Sequence, residues 1–281
     1  VKPIALVPRA VEEELVAPRA ADAIGVLEVA ARKGRAGISG VMATVVARHG
    51  SAPATPGQKL YRATDGTCVG TVGGGAIERE VLEALGAALA ALERGDPPEK
   101  IFAQRAFHLG QELGMCCGGG VDVSIEAVTA LVPCLVIGGG HVATATAPLL
   151  ARVGFAVTVV DAREAWGEEG RIEGVRCVVG EFDEVGRDFP KSSAVIVMTH
   201  DHALDQRAIE WALKRGFPFV GGVGSRAKAK RTRDRLEAKG FSEADRARVR
   251  MPIGVHVGAR LPDEIAVAIA AEMVAWRRGS A

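Results

Sequence analysis

The spacing of apolar residues changes character about half-way along the chain. Up to about residue 130 the pattern is mixed. The segment from Ala10 to Lys33, rich in Ala, Glu, Leu and Val, predicts a helix stopped by Gly34. GVMATVVARHG (Gly40–Gly50) is β-branched and predicts a strand, with a Pro-broken loop after it at Ser51–Gly57. Lys59–Gly75 predicts a hairpin turning at Asp65-Gly66, and Ala76–Arg94 a helix ended by Gly95, Asp96, Pro97 and Pro98. KIFAQRAFHL and Val121–Val128 predict two more strands, separated by LGMCCGGG. From Pro133 the pattern turns to strand–helix alternation. CLVIGGG, AVTVVDA, GVRCVVG, AVIVMTH and FPFVGG are short apolar runs, and helical patterns cover His141–Arg152, Ala203–Arg215 and Ser225–Lys239. A last helix starts at Pro262, Asp263 and Glu264. Near-continuous apolar strands imply a parallel sheet covered on both faces. The predicted fold class is α/β, with an N-terminal α+β domain (1–130) followed by a Rossmann-like, doubly wound domain (131–281).

Composition narrows the function classes. Hydrophobic residues are 48% and charged residues 25% of 281, an ordinary globular balance that excludes disorder. A net charge of +1 and an aromatic content of 4% give no case for nucleic acid or an anionic membrane as partner. Residues 127–151 carry no Asp, Glu, Lys or Arg, but Pro133, Gly138–Gly140 and Pro148 break the run into strand, turn and helix rather than a membrane span. The first twenty residues show no signal-peptide core, and five cysteines is an odd number for a disulfide framework. A cytoplasmic protein with reduced thiols is expected.

Three glycine turns and a cysteine pair carry the candidate chemistry. In CLVIGGGHVATA, Gly138, Gly140 and Ala143 meet the pattern G-x-G-x-x-A between a strand and a helix. Gly138 permits the turn, Gly140 lets a pyrophosphate approach, and Ala143 allows close packing; Asp161, ending the next strand, is placed to accept from ribose hydroxyls. A bound nucleotide and a scaffold whose glycines serve packing alone are the two readings. Gly73, Gly74 and Gly75 open the second helix, read either as an anion site of free amides or as a flexible hairpin exit, and Glu78 either favours the dipole or faces a ligand. The third turn ends in Ser225 and Arg226, an arginine able to fork onto phosphate or carboxylate, or simply solvated. Cys116 and Cys117, next to Gly118–Gly120, suggest exposed sulfur able to ligate a soft metal or carry a persulfide. Cys68, Cys134 and Cys177 read as core residues. In THDHALD, His200 and His202 with Asp201 and Asp205 are candidate acid–base groups or metal ligands at a strand end, with Asp205 alternatively read as assisting the next helix start. His49, His108 and His256 have no companion pattern and read as structural.

Taken in order, HGSAPATPGQKL, DGTCVGTVGGGAIEREV, GMCCGGGVDV, VIGGGHVATATAPLL, VTVVDAR, MTHDHALD, VGGVGSRAKAKR and PIGVHVGARLPDEIAVAIAAEM resemble the xanthine dehydrogenase accessory factor family (XdhC/CoxI type). Gly120, where a larger and often basic residue is common, and VGGVGSR, in place of a more apolar run, depart from the family pattern. The resemblance implies a maturation factor for molybdenum hydroxylases. Such a factor binds the molybdenum cofactor (molybdopterin), protects it during sulfuration and delivers it to the hydroxylase apo-enzyme. It further implies Cys117, with Cys116 second, as the sulfur group and candidate molybdenum ligand, and Gly73, Gly74, Gly75 and Glu78 as part of the pocket. A homodimer and an interaction with a cysteine desulfurase are expectations of the same kind. Two alternatives stay open. One is an NAD(P)-dependent oxidoreductase that uses Gly138, Gly140 and Asp161 with His200 or His202 as acid–base group. The other is an interaction module with a vestigial Rossmann half.

Overall fold

The computed structural model describes residues 19–109 and 119–279. The chain divides into two compact units, residues up to Gly34 with Ile38–Ala130, and Arg35–Gly37 with Leu131–Ala281.

In chain order the first unit holds α1 (Ala23–Arg35), β1 (Gly40–Gly50), β2 (Lys59–Ala63), β3 (Cys68–Gly70), α2 (Gly75–Glu93), the single turn α3 (Pro98–Ile101), β4 (Ala103–Leu109) and β5 (Gly119–Val128). The strands form an antiparallel sheet in the order β3-β2-β1-β5-β4. Strand alternation sends Val41, Ala43, Val121, Val123 and Ile125 to one face, where Ile77, Val81 and Leu85 of α2 cover them. Met42, Tyr61 and Val69 pack with Val26 and Ala30 of α1. Of the helix expected over Ala10–Lys33, the described residues show α1 from Ala23, with 19–22 non-helical; residues 10–18 lie outside them. The Arg19 amide donates to the Cys68 carbonyl and its own carbonyl accepts from Gly70, so this backbone is taken up at the sheet edge beside β3. Asp22 then accepts from the Gly25 amide at 2.7 Å and starts the helix.

The second unit runs β6 (Val132–Ile137), α4 (His141–Arg152), β7 (Phe155–Asp161), α5 (Glu164–Gly167), β8 (Arg176–Val179), α6 (Phe182–Val185), β9 (Ala194–Val197), α7 (His202–Arg215), β10 (Phe219–Gly222), α8 (Arg226–Ala238), α9 (Glu243–Ala247), β11 (Val249–Arg250) and α10 (Pro262–Arg277). Its strands are all parallel, in the order β11-β10-β9-β6-β7-β8. The order runs outward from β6 in both directions, so the chain reverses between β6 and β9, the doubly wound arrangement. Central strands are buried on both faces, and all four residues of β9 are buried. One core layer joins Ala143, Ala147 and Leu150 of α4 to Ile269, Ala270 and Met273 of α10, and the other joins Ile209 and Leu213 of α7 to Leu236 of α8. The uncharged stretch 127–151 is thus the end of β5, β6, a glycine turn and α4. No helix among the described residues is long and apolar enough to cross a membrane.

Candidate functional site

In a doubly wound sheet, ligands bind outside the carboxyl ends of the strands at the chain reversal. Here that edge carries a recess of about 70 Å³ lined by Gly138, Asp161, Gly180, Phe182, Thr199 and His200. Ligand pockets commonly hold about 300–1,000 Å³, so this one is not open to a whole nucleotide. What narrows it is visible in the hydrogen bonds. Asp161 Oδ1 accepts from the amide and Nε of Arg163, and Oδ2 accepts from the Gly139 amide at 2.9 Å and Arg163 Nη2 at 2.7 Å. Burial alone raises the pKa of this carboxyl. The donors from Arg163 and Gly139 outweigh burial and hold it below the ordinary carboxylate range. The acid expected to grip ribose is therefore already engaged by a residue two positions on.

The glycine turn behind it has separable duties. Gly138 has φ +102°, and a Cβ there would sit 2.8 Å from the Met198 carbonyl oxygen, so the turn needs it. At Gly139 a Cβ would lie 2.1 Å from the Trp166 carbonyl oxygen. Arg171 Nη1 donates to the Gly139 carbonyl, its guanidinium lies 4.6 Å from the Trp166 ring centroid, and the ring packs edge-on to His141. Gly140 faces open space, and Ala143 is fully buried against the sheet. The motif locates the turn; nothing in its spacing points to the cover supplied by Trp166 and Arg171. An Asp-x-Arg reading of Asp161 and Arg163 was the one signal that could have revealed the engaged carboxylate.

The two histidines of THDHALD do not share a site. His200 lines the recess beside Asp161, whereas His202 lines a separate hollow with Lys228, Arg231, Thr232 and Arg235. Asp201 caps α7 by accepting from the Ala203 amide at 2.7 Å. Asp205, buried, accepts from the Thr199 amide and hydroxyl and pairs with Lys228, which also donates to the Val223 carbonyl. Of the two acids expected beside the histidines, the structure places Asp201 as a helix cap and Asp205 as a buried, ion-paired anchor. Among the described residues no three His, Cys, Asp or Glu side chains are grouped to hold a metal. Lys228 was not singled out by the motif. Ser225 caps α8 by accepting from the Lys228 amide, and Arg226 follows it, exposed.

In the first unit, Gly73, Gly74 and Gly75 all have positive φ, and a Cβ on Gly73 would meet Ala54 at 2.9 Å. The turn itself therefore requires glycine. Gly74 is the position that faces open space, at the N-cap of α2, with no side chain capping the helix. Glu78 is turned back on the loop, accepting from the Thr71 hydroxyl at 2.5 Å and the Val72 amide at 3.3 Å. Cys116 and Cys117 lie outside the described residues, in the connection from β4 to β5. Cys68, Cys134 and Cys177 are buried; burial raises all three thiols, Cys134 to about 12.

An antiparallel α+β unit followed by a Rossmann unit of parallel strands is the class this architecture defines. The match to known proteins is more particular. Residues 34–96 match the model of the XdhC and CoxI family, and residues 134–273 match the XdhC Rossmann domain. The chain belongs to the XdhC/CoxI family. It is 34% identical over 239 residues to the uncharacterized protein YqeB of Escherichia coli, covering 83% of this chain and 42% of that protein. It is 29% identical over 148 residues to a probable xanthine dehydrogenase subunit of Bacillus subtilis, covering 51% of this chain and again 42% of the relative. The chain thus spans less than half the length of either curated relative. A crystal structure of a xanthine dehydrogenase from Bacillus halodurans has a similar fold, with TM-score 0.50 and 18% identity over 93% of this chain and 97% of its own.

Proposed function

We propose that this chain is an accessory factor for a molybdenum hydroxylase such as xanthine dehydrogenase: it binds the molybdenum cofactor as cargo, assists its sulfuration and delivers it to the apo-enzyme. The observation that carries the reading is the presence, in order on one chain, of both family segments, residues 34–96 and 134–273. The cargo is an elongated anion with a phosphate or nucleotide end and a sulfur-ligated metal end. The uncapped start of α2 at Gly74 and the open face of Gly140 are the described positions that suit the charged end. A thiolate at Cys117, with Cys116 second, suits the soft metal end. A cysteine desulfurase as sulfur source, a cytoplasmic setting and a homodimer complete the proposal.

The decisive experiment co-expresses a molybdenum hydroxylase with and without this chain. We expect higher activity and higher sulfido-ligand content with it; equal values in both preparations defeat the reading. Purified protein should carry pterin fluorescence and molybdenum, and a Cys117→Ala variant that keeps both in full would remove the sulfur-ligation role. The competing oxidoreductase reading draws support from the doubly wound strand order and the open face of Gly140. It is weakened by Asp161, whose oxygens are engaged by Arg163 and Gly139. Trp166 lies against that turn, so nicotinamide binding should quench its fluorescence. No saturable quenching up to about 10 mM cofactor, where even weak complexes form, rejects it.

A further inference from the structure

The Rossmann unit has a second concavity at the same edge of the sheet, sharing no lining residue with the Asp161 recess. It is a cleft of about 470 Å³ beyond β10 and β11, walled by the start of α8 and by residues 252–260, the connection from β11 to α10. That volume falls within the range of small-molecule sites.

Its charge is one-sided. Arg226, His256 and Arg260 are the polar side chains on its walls, and no carboxylate lines it. Neither Asp263, three residues from Arg260, nor Glu264 or Glu272 lines the cleft. Glu264 accepts from the Arg260 and Leu261 amides, at 2.7 and 3.1 Å, and Glu272 accepts from the Gly254 amide. Among the described residues, no hydrogen bond or ion pair is made by the side chains of Arg226, His256 or Arg260. The donors of these three exposed side chains are unengaged by the protein and border one hollow, where an anion can take them up.

The wall is also built rather than slack. Gly254, at φ +107°, lies so close to α10 that a Cβ there would touch the Ala268 side chain at 3.2 Å. The Val255 amide donates to the Ala268 carbonyl, which ties the loop to the helix a second time. Ile253 and Ala268 give the cleft an apolar floor. Of the basic residues of α8, Arg226 lines the cleft, while Lys228 is paired with Asp205.

We propose that this cleft binds the phosphate group of a small phosphorylated compound, with Arg226 and Arg260 as forked ligands and His256 as a further hydrogen-bond partner. Guanidinium forks match the planar pairs of oxygens that phosphate presents, and the apolar floor accepts a small organic body beside it. The inference does not rest on the accessory-factor reading and makes no use of the molybdenum cofactor.

The test is calorimetric titration of the full chain with inorganic pyrophosphate and, separately, with AMP, whose organic body the free anion lacks. Saturable binding of one equivalent is expected for both, tighter for AMP. Each of Arg226→Gln and Arg260→Gln should weaken it about tenfold, the loss of one charge-assisted contact. Lys230→Gln, exposed on the same helix and outside the cleft, should leave affinity within about twofold. In the wild type, the His256 ring nitrogens should shift in NMR spectra as probe is added, a reading that needs no variant. The proposal is overturned by no saturable heat up to about 10 mM of either probe. Unaltered affinity in folded Arg226→Gln and Arg260→Gln proteins, or an equal loss in Lys230→Gln, overturns it as well. Pyrophosphate binding without AMP binding overturns it too, since the organic body then has no place in the cleft.

Discussion

Replacing Asp205 by Ala tests the contact that joins the ends of β9 and β10. Asp205 and Lys228 side chains are 4% and 12% exposed, so the ion pair is largely withdrawn from water. In Asp205→Ala, Lys228 keeps only the Val223 carbonyl, 3.0 Å away, the Thr199 amide loses its acceptor, and the Thr199 hydroxyl keeps only the Asp201 carbonyl. Removing one partner of a buried pair costs about 3–5 kcal/mol. The flexible lysine stem lets the ammonium move outward, which places the expectation at the lower end, about 3 kcal/mol. For a unit of this size that lowers Tm by about 6–12 °C. The three tryptophans, Trp166, Trp211 and Trp276, all belong to the Rossmann unit, so urea unfolding followed by their fluorescence reports on that unit directly. The double variant Asp205→Ala/Lys228→Met removes the stranded charge. It should be no less stable than Asp205→Ala alone, giving a coupling of at least about 1 kcal/mol in the cycle. A single-variant loss below about 1 kcal/mol, or strictly additive effects, refutes the assignment of Asp205 as a buried anchor.

Acid should act through Asp161. Its pKa is below the unfolded value of about 3.9, so its stabilisation is complete above that value and disappears as pH falls through the lower folded value. Asp161→Asn should therefore flatten the acid limb of tryptophan-detected stability below about pH 4, and an unchanged limb counts against the Arg163 pairing. Gly139→Ala, whose Cβ meets the Trp166 carbonyl oxygen at 2.1 Å, should cost about 1–3 kcal/mol. Gly140→Ala, which meets nothing, should stay within about 1 kcal/mol; equal losses measured by urea unfolding contradict the division of duties in that turn. In the folded protein an aromatic disulfide reagent should label at most Cys116 and Cys117. Rapid reaction of Cys68, Cys134 or Cys177, located by mass spectrometry, contradicts their burial.

Much of the architecture was legible in the order of residues. Apolar runs such as AVIV, punctuated by glycine turns and periodic helices, specify a parallel sheet because a strand buried on both faces has no polar positions to alternate. The three glycine turns were equally visible, and at Gly73 and Gly138 positive φ with close backbone approach excludes other residues. Local pattern failed at the amino-terminal helix, where composition favoured helix through Arg19 but backbone pairing with Cys68 and Gly70 took precedence.

What sequence could not settle was the state of each candidate group, because that depends on partners distant in the chain. Asp161 ends a strand in the position expected of a ribose acceptor, yet Arg163 and Gly139 already engage its oxygens. His200 and His202 are two residues apart, yet the start of α7 turns them into different hollows. Arg226 and His256, thirty positions apart, carry no shared motif, and only the return of the chain after β11 sets them around one cleft. Hydrophobic periodicity is a local property and fixes the elements. Hydrogen bonding and charge balance in a site are decided by which loops the packed sheet brings to the same edge.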